Sequence, residues 1–463
     1  MNVLHQVYKW VWGVPTLGLI LAVGFYLSFR TGFAQLRLLP KALRLFFARF
    51  SDSTHANCGT SSFRALCTAL AATVGTGNLA GVAGALTIGG PGAIFWMWLC
   101  ALFGMMIKFA EATLAVACRR ENAAGEIVGG PMYMIRFHLS KPFLPLAYCY
   151  AFFGVVAAFG VGNATQINTV VTSVFQTAAS FGWELPQWGK LLLGVIFGCF
   201  VGAMLLGGAN RIGRAAELLV PFAAVMYLLL GCVVLIARWQ AIPAAFAAIL
   251  RGAFAPRAVT GGMVGSALVS LRTGVSRGVF TNEAGMGTAS IAHASAAVEH
   301  PVQQGMMGIV EVFLDTIVIC TMTALVILVS GVPVAYGVDA DIRLTAAAFS
   351  WVLGPWVNVI ITLSLCLFAV ATVLGWGLYG LRCAQFLFGH GVWKLFAYLQ
   401  ILTVVFAATL RSETVWLLAE ILNGLMAIPN LIALGALSPQ LISIYKTYLY
   451  GGSYENFHQC KSL

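Results

Sequence analysis

Apolar residues occur along the whole chain in long stretches that short polar segments separate. Eleven of these stretches are long enough to cross a bilayer as helices of about 20 residues. They lie at 11–29, 66–88, 93–118, 144–177, 190–206, 213–237, 260–280, 305–331, 355–385, 392–410 and 413–440. The pattern therefore predicts an all-α polytopic membrane protein with a single membrane domain.

The second stretch departs from a plain apolar helix. Between Ala71 and Gly81 it reads Ala-Ala-Thr-Val-Gly-Thr-Gly-Asn-Leu-Ala-Gly, with Gly75 and Gly77 on either side of Thr76. Each glycine weakens a helix by roughly 1 kcal/mol relative to alanine. A break inside hydrocarbon persists only where protein or a wet cavity covers it, and there its N–H and C=O groups can bind an anion and a small cation. The alternative is a helix-packing motif of small residues.

Polar side chains also mark the third and fourth spans. Lys108 and Glu111 lie three residues apart in the third span. We expect them to neutralise each other as a structural pair, and an ion relay is the alternative. Asn163, Gln166 and Thr169 form a polar stripe in the fourth span. This stripe indicates either hydrogen bonds between helices or substrate binding.

The eighth and ninth spans contain further candidates. Glu311 and Asp315 lie one turn apart, and two acids in an apolar helix are costly unless they are paired or solvated. They either carry a coupling cation or cap arginine or backbone donors. Trp376, between two glycines, suits the wall of a small apolar pocket, and aromatic core packing is the alternative. His293 is expected to be packed or solvated and not to bind a metal.

The seventh span repeats the glycine pattern of the second. Glycines at 261, 262 and 265 lead to further glycines at 274, 278, 285 and 287. Because this span comes five spans after the first glycine pattern, it fits two inverted five-helix halves. The halves are not visibly alike in sequence, so this symmetry rests on position. Arg277, Asn282 and Glu283 form either an inner gate or a solvated helix end.

Composition and charge agree with a membrane protein. Of 463 residues, 60% are hydrophobic and 9% are charged, which leaves no polar stretch long enough for a soluble domain. The net charge of +11 resides in short loops. The loop after the first span carries one acid, Asp52, and six basic residues: Arg30, Arg37, Lys41, Arg44, Arg49 and Arg64. The positive-inside rule places this loop and the carboxyl terminus in the cytoplasm, with the amino terminus outside.

The sequence disfavours several kinds of site. The 11 cysteines are scattered and are expected to act as small hydrophobic residues, not as disulfides or metal ligands. The motif HExxH and clusters of His and Cys are missing from the sequence, so no enzyme is expected. A channel needs a continuous polar lining, whereas polar clusters at one depth suit a closed binding site.

Seven motifs together point to one family. They are Val74-Gly-Thr-Gly-Asn78, Gly89-Gly-Pro-Gly-Ala-Ile-Phe-Trp-Met-Trp98, Lys108-Phe-Ala-Glu-Ala112, Gly278-Val-Phe-Thr-Asn-Glu-Ala-Gly285, Ile291-Ala-His293, Leu374-Gly-Trp376 and Asn423-Gly-Leu-Met-Ala-Ile-Pro-Asn430. With these motifs the chain resembles, over nearly its whole length, the alanine/glycine:cation symporter family, the sodium:alanine symporters. The glycine-proline-tryptophan block is the most specific of them.

The resemblance implies the leucine-transporter fold, a five-plus-five inverted repeat with one extra amino-terminal helix. Residues 1–65 would hold that helix and the basic loop, 66–237 the first repeat, 238–440 the second repeat and 441–463 a cytoplasmic tail. The implied activity is sodium-coupled import of alanine or glycine across the bacterial inner membrane by alternating access, as a monomer. No cofactor is expected besides sodium as the coupling ion, and no nucleic acid. A proton-coupled or glutamine-preferring carrier is the alternative.

The resemblance also implies the binding residues. It assigns seven positions to the substrate: Thr76, Gly77, Asn78, Gln166, Thr273, Gly274 and Trp376. Backbone N–H groups of Thr76 and Gly77 would bind the carboxylate, and Gly274 would break the seventh helix so that free carbonyls accept the ammonium. The implied sodium ligands are the carbonyls of Ala71 and Val74 and the hydroxyl of Thr372.

Two positions depart from the family pattern. Thr273 stands where an aromatic residue is usual, which would enlarge or polarise the pocket. Ala371 stands where a serine commonly precedes Thr372, so the implied cation site has one hydroxyl fewer. The sequence therefore leaves open sodium against proton coupling, the stoichiometry, the preferred amino acid and its stereochemistry, and the oligomeric state.

Overall fold

The structure is a computed structural model that describes residues 2–51, 60–122, 125–256, 260, 266–338, 340–410 and 412–451. Within them, nine helical stretches are long and apolar enough to cross a membrane, and two helices that meet at a bend form a tenth. This architecture confirms the predicted all-α membrane fold.

The helices follow one another along the chain with short connections. The first ten are α1 (Asn2–Val11), α2 (Val14–Arg30), α3 (Ala34–Ser51), α4 (Ser62–Thr73), α5 (Val82–Gly89), α6 (Gly92–Ala117), α7 (Pro131–His138), α8 (Leu144–Phe159), α9 (Thr165–Ser180) and α10 (Trp188–Leu205). The others are α11 (Gly208–Ala237), α12 (Ile242–Phe254), α13 (Ala267–Asn282), α14 (Thr288–His293), α15 (Pro301–Val312), α16 (Thr321–Ser330), α17 (Ile342–Leu353), α18 (Val357–Phe388), α19 (Trp393–Ala407) and α20 (Ser412–Leu449).

Wider π-helical turns join several of these helices into longer spans. They lie at Gly77–Gly81 before α5, at Gly160–Ala164 between α8 and α9, and at Phe313–Cys320 between α15 and α16. Such turns are frequent at functional sites because they redirect side chains and free backbone groups. Two pairs of two-residue strands complete the described part: β1 (Thr60–Ser61) with β4 (Ala296–Ala297), and β2 (Arg120–Glu121) with β3 (Ile127–Val128).

Helix α6 lies at the centre of the bundle. Of its most apolar 18-residue stretch, 67% is buried in protein. The corresponding shares are 28% for α10 and 33% for α11, which face outward. Small residues let neighbouring helices approach α6 closely. A Cβ at Gly92 would overlap the backbone of Gly252 in α12, and one at Gly274 in α13 would overlap the carbonyl of Ala93. These close contacts place α12 and α13 against the helix that carries Lys108 and Glu111.

The second span is broken, as the sequence predicts. Helix α4 ends at Thr73, Val74 is extended (φ −79°, ψ 100°), and the chain becomes helical again at Gly77. The segments Ser62–Thr73 and Gly77–Gly89 meet at 51°. The glycine-rich stretch is therefore an interruption within the span.

The seventh span differs from the prediction. Helix α13 runs without a break through Gly274 and ends at Asn282, so the expected interruption at Gly274 is wrong. The chain turns after it instead, with Glu283 at φ 53°, Gly285 at φ 93° and Gly287 at φ 75°, before α14 begins. Residues 261–265, where the glycine pattern of this span begins, lie outside the described residues.

Two boundaries also differ. The predicted loop 30–65 contains helix α3, whose sequence alternates basic and apolar residues. Helix α20 continues to Leu449, beyond the predicted end of the last span at 440, because Leu441, Ile444 and Tyr445 are buried against the bundle. The predicted tail therefore begins as a helix.

Candidate functional site

The interruption of the second span redirects its backbone hydrogen bonds. In a continuous helix the N–H groups of Gly75 and Asn78 would donate to the carbonyls of Ala71 and Val74. Here the Gly75 N–H donates to Asn78 Oδ1 (2.9 Å), and the Asn78 N–H donates to the Gly75 carbonyl (3.3 Å). The carbonyls of Ala71 and Val74, which are the two predicted backbone ligands for sodium, have therefore lost their regular helical donors.

Thr372 of α18 lies directly against this interruption. A Cβ built on Gly75 would come 2.7 Å from Thr372 Oγ1, and one on Gly375 would come 3.0 Å from the amide nitrogen of Ala72. The Thr372 hydroxyl donates to the carbonyl of Phe368 (2.9 Å), which leaves its oxygen lone pairs available. The structure thus brings the third predicted sodium ligand to the turn that carries the other two.

Gln166 of α9 approaches the same turn from the fourth span. Its Oε1 accepts a long hydrogen bond from the Thr76 N–H (3.4 Å), and its Nε2 donates to the carbonyl of Val161 (3.2 Å). Thr76 is fully buried, and in the described part of the chain its hydroxyl has no hydrogen-bond partner. A weakly held N–H, a hydroxyl and a carboxamide therefore converge at the point where the helix restarts.

The other two members of the fourth-span stripe serve helix contacts. Asn163 donates to the carbonyl of Gln400 in α19 (3.4 Å), and the hydroxyl of Thr169 donates to the carbonyl of Thr165 (2.8 Å). Of the two interpretations of the stripe, hydrogen bonding within and between helices applies to these residues.

Asn78 holds the interruption in shape. Its Oδ1 accepts from the Gly75 N–H, as described above, and its Nδ2 donates to Asp315 Oδ1 (2.6 Å). Both ends of the carboxamide are thereby engaged in the protein. The geometry gives Asn78 a positioning role at the site.

Trp376 is fully buried in α18. Its Nε1–H donates to Glu283 Oε1 (2.9 Å), and Gly162 packs so closely on its Cβ that any side chain there would overlap it. The indole N–H is therefore committed to the turn after α13. The ring remains the part of Trp376 that can border a pocket.

Thr273 and Gly274 lie away from the interruption. Thr273 contacts Gly89, which is twelve residues and about 18 Å of helix beyond Gly77. The α13 residues beside the interruption are instead Phe280 and Thr281: a Cβ on Gly77 would come 3.3 Å from the Phe280 ring and 3.4 Å from Thr281 Cγ2. These two residues occupy the place in the candidate site that the resemblance implies for Thr273 and Gly274.

The charged residues of α6 and α15 pair differently from the prediction. Lys108 Nζ lies 2.8 Å from Glu311 Oε1, so the predicted pairing of Lys108 with Glu111 is wrong. The other Glu311 oxygen lies 3.1 Å from His293 Nε2, and His293 Nδ1 lies 2.6 Å from Gln304 Nε2. His293 is therefore a packed histidine, as predicted.

Glu111 supports the turn after α13. Its Oε1 accepts from the N–H groups of Gly285 and Gly287 (both 3.0 Å) and from Asn430 Nδ2 (2.8 Å). Asn430 also donates to the carbonyl of Gly285 (2.8 Å). The carboxylate thus satisfies backbone donors that a helix end would otherwise leave unpaired in the membrane.

The proposed gate residues are buried. Asn282 and Glu283 are 0% and 2% exposed, so the alternative of a solvated helix end does not hold for them. Arg277 pairs with Glu420 of α20 (2.5 Å), which ties α13 to the last span. Glu420 also accepts from the Trp12 indole through its backbone carbonyl (2.6 Å), so the first helices join the same contact.

The fold has counterparts among solved transporters. MhsT, solved in complex with L-phenylalanine, superposes with a TM-score of 0.57 at 14% identity, over 85% of this chain and 99% of that chain. Mhp1, a nucleobase-cation-symport-1 family transporter, gives 0.52 at 13% identity, over 86% and 81%. Both have the leucine-transporter fold, which this chain shares.

The sequence comparisons are more specific. The model of the sodium:alanine symporter family matches residues 1–457. The sodium/alanine symporter AgcS of Methanococcus maripaludis is 43% identical over 97% of both chains. From Bacillus subtilis, the probable sodium/glutamine symporter GlnT is 36% identical (95% of this chain, 88% of its own), and the putative sodium/proton-dependent alanine carrier protein YrbD is 32% identical (95% and 90%). The chain is therefore a multi-pass cell-membrane transporter that belongs to the sodium:alanine symporter family.

Proposed function

We propose that the protein imports small neutral amino acids, alanine or glycine, together with sodium by alternating access. One observation carries this proposal: the interruption of the second span removes the regular helical donors of two carbonyls, leaves the Thr76 N–H in a long bond to Gln166, and lies against Thr372. An amino acid zwitterion needs acceptors and donors together, and an interrupted helix supplies both within a few ångströms.

The carboxylate would bind where the helix restarts. The helical segment Gly77–Gly89 begins here, so the N–H groups of Thr76 and Gly77 form its positive end. Such a helix end stabilises an anion by roughly 0.3–2 kcal/mol. The 3.4 Å bond from Thr76 to Gln166 is long enough for a substrate oxygen to replace it. Gln166 Oε1 would then be free to accept from the ammonium group.

Sodium would bind on the other side of the same turn. The carbonyls of Ala71 and Val74 and the Thr372 hydroxyl are oxygen ligands, which alkali cations prefer. Ala371 is fully buried and contributes no hydroxyl there. A cation beside the carboxylate-binding turn strengthens substrate binding, and by linkage the substrate strengthens cation binding equally. One sodium ion moving down 100 mV releases about 2.3 kcal/mol, enough for roughly a 40-fold substrate gradient.

The surroundings of Gly77 favour a small substrate. The Phe280 ring lies in contact distance of this position and packs on Trp416 with ring centroids 5.3 Å apart, so it restricts the space beside the carboxylate-binding turn. The proposal includes a functional monomer. A glutamine-preferring or proton-coupled carrier is the second candidate, since the names of the relatives GlnT and YrbD indicate these activities.

Uptake of radiolabelled alanine into proteoliposomes tests the proposal. A sodium gradient, a potassium gradient and a proton gradient are imposed in turn, with membrane potential held equal. We expect accumulation with sodium, and competition by unlabelled alanine and glycine more strongly than by glutamine. Accumulation driven equally by a proton gradient without sodium, or stronger competition by glutamine, would favour the second candidate.

A further inference from the structure

A buried carboxylate lies between the interruption of the second span and the turn that follows α13. Asp315, in the π-helical segment Phe313–Cys320, is 0% exposed. Its Oδ1 accepts from Asn78 Nδ2 (2.6 Å), and its Oδ2 accepts from the Thr316 hydroxyl (2.8 Å). Both donors are neutral. The carboxylate is therefore stabilised by hydrogen bonds rather than by a directly paired cation.

Two asparagines connect this carboxylate to the interruption of the second span and to the turn after α13. Asn78 Oδ1 accepts from the Gly75 N–H (2.9 Å) inside the second span. At the end of α13, Asn282 Oδ1 accepts from the Ala284 N–H (3.0 Å), and its Nδ2 donates to Thr316 Oγ1 (3.1 Å). Asn78 thus binds the backbone of the interruption and Asn282 binds the backbone of the turn, and each turns its amide towards the same acid, directly or through Thr316.

We propose that Asp315 is a proton-binding site whose ionisation sets the affinity for the amino acid. This inference rests on the transport function proposed above. The ionised carboxylate accepts from both sides and fixes the interruption of the second span relative to the turn after α13. When Oδ2 takes up a proton from the aqueous phase, its O–H donates to Thr316 Oγ1, whose own hydrogen turns away, and Oδ1 becomes a neutral, weaker acceptor for Asn78. The hydrogen bonds that fix the interruption and the turn after α13 therefore weaken.

The donor set favours a proton over a metal ion at this acid. A metal ion needs several oxygen ligands, whereas Asn78 presents its Nδ2 to the carboxylate because its oxygen is bound to Gly75. Cys320 Sγ, 3.3 Å from the same amide nitrogen, adds no oxygen. A proton needs only one carboxylate oxygen and the Thr316 hydroxyl as acceptor.

Five charged side chains on the elements around Asp315 have partners of their own. The titratable and charged residues on the elements that pack against its segment are Cys100, Lys108, Glu111, Arg272, Arg277, Glu283 and Glu311, and Cys320 lies in the segment itself. Lys108 pairs with Glu311, Arg277 with Glu420, and Glu283 accepts from Trp376 and Thr288. Glu111 binds the backbone after α13. The π-helical turn Gly77–Gly81 and α16 contain no titratable residue.

Equilibrium binding of alanine to the purified full-length protein, at saturating sodium, tests the inference. The dissociation constant of the wild type should rise as pH falls, by at most about tenfold per pH unit. By linkage, adding alanine to weakly buffered protein should release protons. In Asp315→Asn, which keeps a hydrogen-bonding side chain of the same shape, both effects should disappear. Glu184→Gln, an exposed acid between α9 and α10, is the matched control and should keep both.

A second variant decides the matter if Asp315→Asn does not fold. Thr316→Val removes one donor from the carboxylate and the link to Asn282, so the midpoint of the binding profile should move towards higher pH. An unmoved midpoint, a pH-independent wild type, or an Asp315→Asn protein that still releases protons overturns the proton site. Loss of sodium dependence with an intact pH profile in Asp315→Asn overturns it in favour of a cation ligand. A wild type that binds no alanine at any pH refutes the transport proposal itself.

Discussion

Replacing Gly75 with alanine adds one methyl group where three parts of the proposed site meet. The new Cβ would lie 2.7 Å from Thr372 Oγ1 and 3.3 Å from Gln166 Oε1. Gly75 does not have a positive φ, so alanine can adopt its backbone conformation and the cost is steric. Overpacking of this kind costs about 1–3 kcal/mol. If the Thr372 hydroxyl moves aside to relieve it, the sodium concentration for half-maximal uptake rises by about fivefold to 150-fold.

Sodium-dependent alanine uptake in proteoliposomes measures this effect. Gly81→Ala is the matched control, because its Cβ would meet only Thr281 Cγ2 at 3.9 Å, an ordinary contact, in the same segment. Thermal unfolding of both variants checks that they fold equally well. If Gly75→Ala and Gly81→Ala show the same sodium dependence as the wild type, Thr372 and Gln166 do not act at this turn and the proposed site is misplaced.

Three further substitutions test separate parts of the structure. Thr372→Ala should raise the sodium concentration for half-maximal uptake, and an unchanged sodium dependence removes this hydroxyl from the site. Gly77→Val should abolish alanine binding because its side chain enters the space beside Phe280, and intact affinity contradicts the backbone site for the carboxylate. Lys108→Met should destabilise the fold by about 3–5 kcal/mol since it leaves Glu311 buried with only His293; an unchanged unfolding temperature would show that the ion pair contributes nothing.

The broken second span could be predicted because its cause is local. Glycines around Thr76 weaken the helix, and no distant contact is needed to infer the interruption. The location of ten spans follows from hydropathy for the same reason. The course of α13 could not be predicted in this way. Gly274 is needed for close approach to Ala93, and a glycine that permits helix packing has the same sequence signature as one that breaks a helix.

The pairing of buried charges depends on helices that are far apart in sequence. Lys108 and Glu111 have the spacing of a pair within one helix, yet Glu311 lies across the contact between α6 and α15 and reaches the ammonium first. Glu111 then accepts from the turn after α13, which the sequence did not place beside it. Asn430 was visible only as the end of a family motif, and its role as a support of that turn appears once α20 is packed in place.

The interruption of the second span satisfies its donors and leaves its acceptors for a ligand. The N–H groups of Gly75 and Asn78 are bound inside the turn, and the N–H of Thr76 is bound weakly to Gln166. The carbonyls that lost these regular donors belong to the turn that Thr372 contacts, and an acceptor without a donor inside a membrane costs several kcal/mol. A cation at those carbonyls offsets this cost, whereas the amino acid carboxylate must first displace Gln166. This asymmetry therefore favours binding of sodium before the substrate. Coupling between the two ligands follows from the free-energy cost of the unpaired carbonyls in the turn.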